Sequence, residues 1–112
     1  MSPNSAVLAG STAIFTCHTD SSEFCWTYQK NVSNNDVVDV CDKKRDDKFI
    51  NRCNVTTHST DGPHTLTIND VRLSDAGFYS CGDCSGRPTA KGTAYLLVLG
   101  KILHLHLSLI HI

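Results

Sequence analysis

Six cysteines, at positions 17, 25, 41, 53, 81 and 84 of a 112-residue chain, restrict the fold more than any other feature. The number is even and the density high, a usage that belongs to secreted or cell-surface domains, where small cores are stapled by disulfides. Apolar residues make up 40% of the chain and charged residues 19%, enough to build a packed core. The length corresponds to one domain. A net charge of −1 argues against nucleic acid as a partner, because phosphates need a basic face. The one basic run, Lys43-Lys44-Arg45, is bracketed by Asp42, Asp46 and Asp47 and reads as a solvated loop.

Short runs of strand character recur along the chain, separated by turn signals. Residues 13–17, 24–28, 37–41, 65–68, 78–84 and 93–99 are rich in β-branched and aromatic residues, and 49–56 reads as a weaker edge strand. No window holds a helical period for ten residues; only Val71 to Ala76 reads as a short helical turn. About eight short strands without helices predict an all-β sandwich or barrel. Two sequons, Asn31-Val32-Ser33 and Asn54-Val55-Thr56, make Asn31 and Asn54 the expected glycosylation sites.

The stretch Asp75-Ala-Gly-Phe-Tyr-Ser-Cys81 resembles the strand F pattern of immunoglobulin-superfamily domains. Cys17 falls in that family's strand B slot, Trp26 in strand C, Thr65 to Val71 in strand E, and Lys91 to Val98 in strand G. The resemblance covers residues 5–99 and implies a two-sheet antiparallel sandwich of the V-type with extra disulfides. Its residues imply a Cys17–Cys81 bridge under the Trp26 indole, a Tyr79 hydroxyl bonded to backbone, and Asp75 paired with Arg52. The family register sets Cys25 beside Cys84, implying a second bridge, and leaves Cys41 with Cys53 for a third. A Cys25–Cys41 pairing is the alternative, which strands Cys53 and Cys84 at opposite ends of the sandwich.

Within that frame Cys81-Gly-Asp-Cys84 is two halves of two disulfides. A dithiol enzyme places such a motif at a helix N-terminus, which lowers the first thiol's pKa; here the motif leaves a strand. A four-cysteine zinc site wants a second close pair, although His18, His58 and His64 are available. A zinc or redox protein using Cys81 and Cys84 is the third reading. No nucleophile elbow, phosphate loop or paired-histidine motif is present, so the expectation is a non-enzymatic protein without cofactor or metal.

The resemblance implies an extracellular recognition domain of a cell-surface immune-type receptor, similar to the polymeric-immunoglobulin-receptor-like group. Members of that group place the extra cysteine just after the tryptophan, whereas Cys25 precedes Trp26. A protein ligand or counter-receptor would be bound through the loops and the sheet of strands G, F, C and C′. Asp83, Ser85 and Arg87 in the stiffened loop, Thr27 and Gln29 on the sheet and Glu23 beside it are the candidate contacts. Ala94, Leu96 and Val98 are expected to face outward beside Thr27 and Gln29, marking a pairing face. A homophilic adhesion module, forming a homodimer through that face, is the alternative. The chain opens on Met1-Ser-Pro-Asn4 without the basic and apolar regions of a signal peptide, so it is expected to be a fragment whose membrane link lies in missing sequence. Residues 100–112 form an apolar tail expected to be non-native or disordered, 107–112 matching the translation of a sequencing adapter.

Overall fold

The computed structural model describes residues 4–18, 24–31, 37–41, 49, 51–57, 63–83 and 89–100; at 24, 57, 83 and 89–91 it describes the backbone alone. Among the described residues, eight strands and one 3₁₀ turn follow in order: β1 (Ser5–Leu8), β2 (Ala13–His18), β3 (Phe24–Gln29), β4 (Val38–Asp39), β5 (Cys53–Thr57), β6 (Pro63–Ile68), the turn Leu73–Asp75, β7 (Gly77–Asp83) and β8 (Thr89–Leu99). They form a five-stranded sheet, β1-β8-β7-β3-β4, packed on a three-stranded sheet, β2-β6-β5. Every described pairing is antiparallel except β1 with β8, which run parallel.

Alternation sets the core. In β2 the side chains of Ala13, Phe15 and Cys17 point inward, and their partners on β6 are Ile68, Leu66 and His64, all buried. From the facing sheet come Trp26 and Tyr28 of β3, Tyr79 and Cys81 of β7, and Ala94, Leu96 and Val98 of β8. The Cys17–Cys81 disulfide links the sheets across 64 residues of sequence, and the Cys41–Cys53 disulfide ties the end of β4 to β5. Phe15 stacks on Tyr79 at 4.7 Å between ring centroids, and Trp26 lies tilted against Phe15 at 6.3 Å.

β8 differs from the sequence expectation. Ala94, Leu96 and Val98 are buried, not outward, because β8 pairs with β7 so that Ala94 lies opposite Tyr79 and Leu96 opposite Gly77. Between Cys81 and Gly82 the register slips: their partners are Gly92 and Ala90, with Lys91 extra on β8. One extra residue reverses which alternate set faces the core, so the phase cannot be counted through the bulge. The predicted strand at 37–41 is also shorter, with only Val38 and Asp39 in the ladder, Val40 buried, and Cys41 turned into the left-handed region at φ 64°. β1, which the sequence reading did not single out, closes the free side of β8.

Candidate functional site

One end of the sandwich is locked by the Leu73–Asp75 turn. The fully buried Asp75 carboxylate accepts two bonds from Arg52, Nη1 to Oδ2 at 2.8 Å and Nη2 to Oδ1 at 3.1 Å, and a third from the Arg72 N–H at 2.8 Å. Arg52 also donates to the Asp70 carbonyl at 3.0 Å and lies over the Phe49 ring. A planar guanidinium fits both carboxylate oxygens at once, which makes this a charge-assisted, geometry-specific pair. Its hydrogen bond to Asp75 raises the Arg52 pKa. The Tyr79 hydroxyl donates to the Asp75 carbonyl at 2.5 Å, and the Tyr28 hydroxyl to the Ala76 carbonyl at 2.6 Å. Burial, followed by the Asp75 charge, pushes both phenols above their ordinary range. Tyr28, Phe49 and Tyr79 pack edge-on or tilted against one another at 5.1–5.9 Å. These groups fix a scaffold: their polar atoms are spent on one another and on backbone.

The surface this scaffold holds is the outward face of the five-stranded sheet. Register puts Thr27 and Gln29 of β3 beside Ser80 and Phe78 of β7, and these beside Thr93 and Tyr95 of β8. Asp39 of β4 continues the row next to Thr27. Phe78 and Tyr95 meet edge to face at 4.9 Å, and the Ser80 and Thr93 hydroxyls are 2.9 Å apart. Beyond Tyr95 the face turns apolar: Leu97 and Leu99 of β8 pair with Ala6 and Leu8 of β1, and the three leucines are 45–47% exposed. The face thus joins a polar half, on β3 and β4, to an aromatic and aliphatic half, on β8 and β1.

Of the candidate contacts read from the sequence, Thr27 and Gln29 fall on this face, half-buried and adjacent to the aromatic pair. Asp83 ends β7 with its backbone opposite Phe24 and Thr89. Glu23, Cys84, Ser85 and Arg87 lie outside the described residues, as do His58 and the tail 101–112. Cys25 sits opposite Gly82, and its expected partner Cys84 lies beyond the end of β7, outside the described residues. Asn31 is exposed just past the end of β3, and Asn54 is exposed on β5, the edge of the smaller sheet. Phe78, Tyr95, Leu97, Leu99 and Leu8 were missed as surface residues. The signal was present, since Tyr95, Leu97 and Leu99 alternate as regularly as Leu96 and Val98 do. Among the described residues no group of three or more metal-ligating side chains comes together, and no helix is long and apolar enough to cross a membrane.

The family model of the immunoglobulin V-set domain matches residues 2–99. No curated protein matches the chain.

Proposed function

The chain belongs to the immunoglobulin V-set family, and on that premise we propose that it is the extracellular recognition domain of a cell-surface immune-type receptor, which binds a protein ligand through the outward face of its five-stranded sheet. Domains of this family generally mediate protein–protein contacts rather than catalysis. The observation that carries the reading is the Phe78–Tyr95 pair at the centre of that face, between the leucines of β1 and β8 and the polar side chains Thr27, Gln29, Ser80 and Thr93. Aromatic side chains offer large contact area at low entropic cost, and polar neighbours supply orientation. Disulfides fit an extracellular setting.

A Cys25–Cys84 bridge belongs to the same proposal. Cys25 lies opposite Gly82, and the position two residues on in a ladder is about 7–8 Å away, so the bridge requires the chain to bend toward Cys25 after Asp83. The bridge would hold Asp83, Ser85 and Arg87 at the upper end of the face, lowering the entropy lost on binding. Glu23 would stand at the same end.

The exposed Leu8, Leu97 and Leu99 favour a second reading, homophilic adhesion through a pair of these faces. Sedimentation of the purified chain at micromolar concentration separates the two. A monomer that stains intact cells as a labelled tetramer, with staining lost after the cells are treated with protease, is the result for a receptor with a protein ligand. Self-association at that concentration, without cell staining, is the result for adhesion.

A further inference from the structure

Where β3 ends and β7 begins, the chain leaves a groove of about 650 Å³ at the rim of the outward face, lined by Tyr28, Lys30, Asn31, Leu73, Ala76 and Tyr95. Its shape follows from local constraints. The Leu73–Asp75 turn carries the chain away from the end of β3, and Gly77 lets the Tyr28 ring lie against the backbone. The Tyr28 hydroxyl is bonded to the Ala76 carbonyl, which fixes the floor. Leu73 is 61% exposed on one wall, and Tyr95, held by Phe78, stands on the other. The volume is in the range of small-ligand clefts, about 300–1,000 Å³, yet the groove is open to solvent along its length. An open groove of this kind holds a free ligand poorly and a tethered one well, since tethering replaces a bimolecular encounter with a high local concentration.

A tether is built into the wall. Asn31, a lining residue, is the acceptor position of the sequon Asn31-Val32-Ser33. We propose that Asn31 carries an N-linked glycan whose first sugars lie in this groove, one sugar face against Tyr95 and Leu73, with Lys30 and Ser74 at the rim for its hydroxyls. The transfer is chemically complete with one co-reactant, a lipid-diphosphate-linked oligosaccharide. The Asn31 amide nitrogen bonds to the anomeric carbon, that carbon's bond to the diphosphate oxygen breaks, and the lipid diphosphate leaves with the electron pair as the amide loses one proton. The inference depends on the extracellular reading only in that the chain must meet this donor in the secretory pathway. Its consequence for the face is directional. A glycan seated in this groove borders the face at the ends of β3 and β7 beside Gln29 and Tyr95, so that a partner reaches Phe78, Tyr95 and Leu97 from the opposite side, around Thr27, Ser80 and Thr93.

The test uses the whole chain, secreted behind a leader peptide from a eukaryotic host, and an amidase that cuts the glycan from asparagine and leaves aspartate. Peptide mass spectrometry is expected to find the glycan on Asn31 and to lose it in Asn31→Gln. On the folded chain, release from Asn31 is expected to be about two- to tenfold slower than from the Leu73→Ser variant, the factor a single ring-sized contact supplies. Tyr95→Ser repeats the acceleration through the opposite wall. An unmodified Asn31 on a chain that carries a glycan at Asn54 overturns the inference and leaves the extracellular reading standing. So does a modified Asn31 whose release is equally fast with and without Leu73. A secreted chain bare at both asparagines counts against the inference and against the secretory setting together.

Discussion

Arg52 and Asp75 form a two-bond ion pair in which the carboxylate is wholly buried, and the same Asp75 supplies through its carbonyl the acceptor for Tyr79. The residue therefore binds three elements at once: the turn before β5, its own 3₁₀ turn, and β7. A buried carboxylate stripped of its partner is left uncompensated. Arg52→Ala is expected to destabilise by about 3–5 kcal/mol, and Asp75→Asn by a similar amount. Denaturant unfolding of the two single variants and the double variant checks this. The double variant should be far less destabilised than the sum, because the second change removes a charge already stranded by the first.

The two buried phenols give the fold an alkaline limit. Burial first, then the Asp75 charge, raises the Tyr79 and Tyr28 pKa values above 10.0 in the folded chain. Below that pH both states keep the phenol protons and stability does not depend on them. Above it the unfolded chain loses these protons before the folded one does, so stability falls as pH rises. For Tyr79 the slope approaches about 1.4 kcal/mol per pH unit. Tyr79→Phe should lower stability near neutral pH by about 1–2 kcal/mol and flatten the decline above pH 10, read from urea midpoints across an alkaline series.

Gly77 is needed for lack of a side chain. A Cβ there would stand 2.6 Å from Tyr28 Cε1 and 2.9 Å from the Gln29 carbonyl oxygen. Because the Tyr28 ring is pinned by its hydroxyl and by Phe49 and Tyr79, it cannot swing aside. Gly77→Ala is expected to cost about 1–3 kcal/mol, whereas Gly100→Ala, with nothing within 4 Å, should be neutral in the same thermal melt.

The Cys41–Cys53 bridge closes a loop across 12 residues of sequence. Replacing both cysteines with serine should lower stability by about 3 kcal/mol in the chain-entropy account. The Cys17–Cys81 bridge spans 64 residues, and its removal should cost about 4 kcal/mol on the same basis. Unfolding of the two double-serine variants under non-reducing conditions orders them.

The parts of the fold that could be read from the chain are those in which one residue type has one physical use. Trp26 between Cys17 and Cys81, and Tyr79 two residues before Cys81, are placed by side-chain alternation once the strands are recognised. Arg52 and Asp75 are paired through the resemblance of Asp75 to the family's aspartate before strand F, since 10 basic and 11 acidic residues leave the partner open on charge alone. What could not be read was phase. Leu96 and Leu97 are adjacent and equally apolar, and only the pairing of Tyr79 with Ala94, below the extra residue at Lys91, decides that Leu96 enters the core and Leu97 the surface. The same uncertainty hid Tyr95 on the surface, whereas Phe78, next to Tyr79, and Tyr28, two residues after Trp26, carry a phase that alternation alone supplies. Phe49 lies outside any strand, and no periodicity announces it as fully buried. The exposed end of β3, where Asn31 borders a groove, is a property of packing between segments far apart in sequence, around Asn31, Leu73 and Tyr95, and has no local signature.

The central claim is that the outward face of the five-stranded sheet is the surface that recognises a partner. The most direct measurement compares cell-surface staining by labelled tetramers of the whole chain and of three variants. Thr27→Arg and Leu97→Asp alter the two halves of the face, and Ile14→Lys alters the outer side of the smaller sheet at a position 58% exposed. The account predicts that staining is saturable, falls tenfold or more with either face variant, about 1.4 kcal/mol, and is unchanged by Ile14→Lys. Staining that survives both face variants and is lost with Ile14→Lys would contradict it and assign recognition to the other sheet.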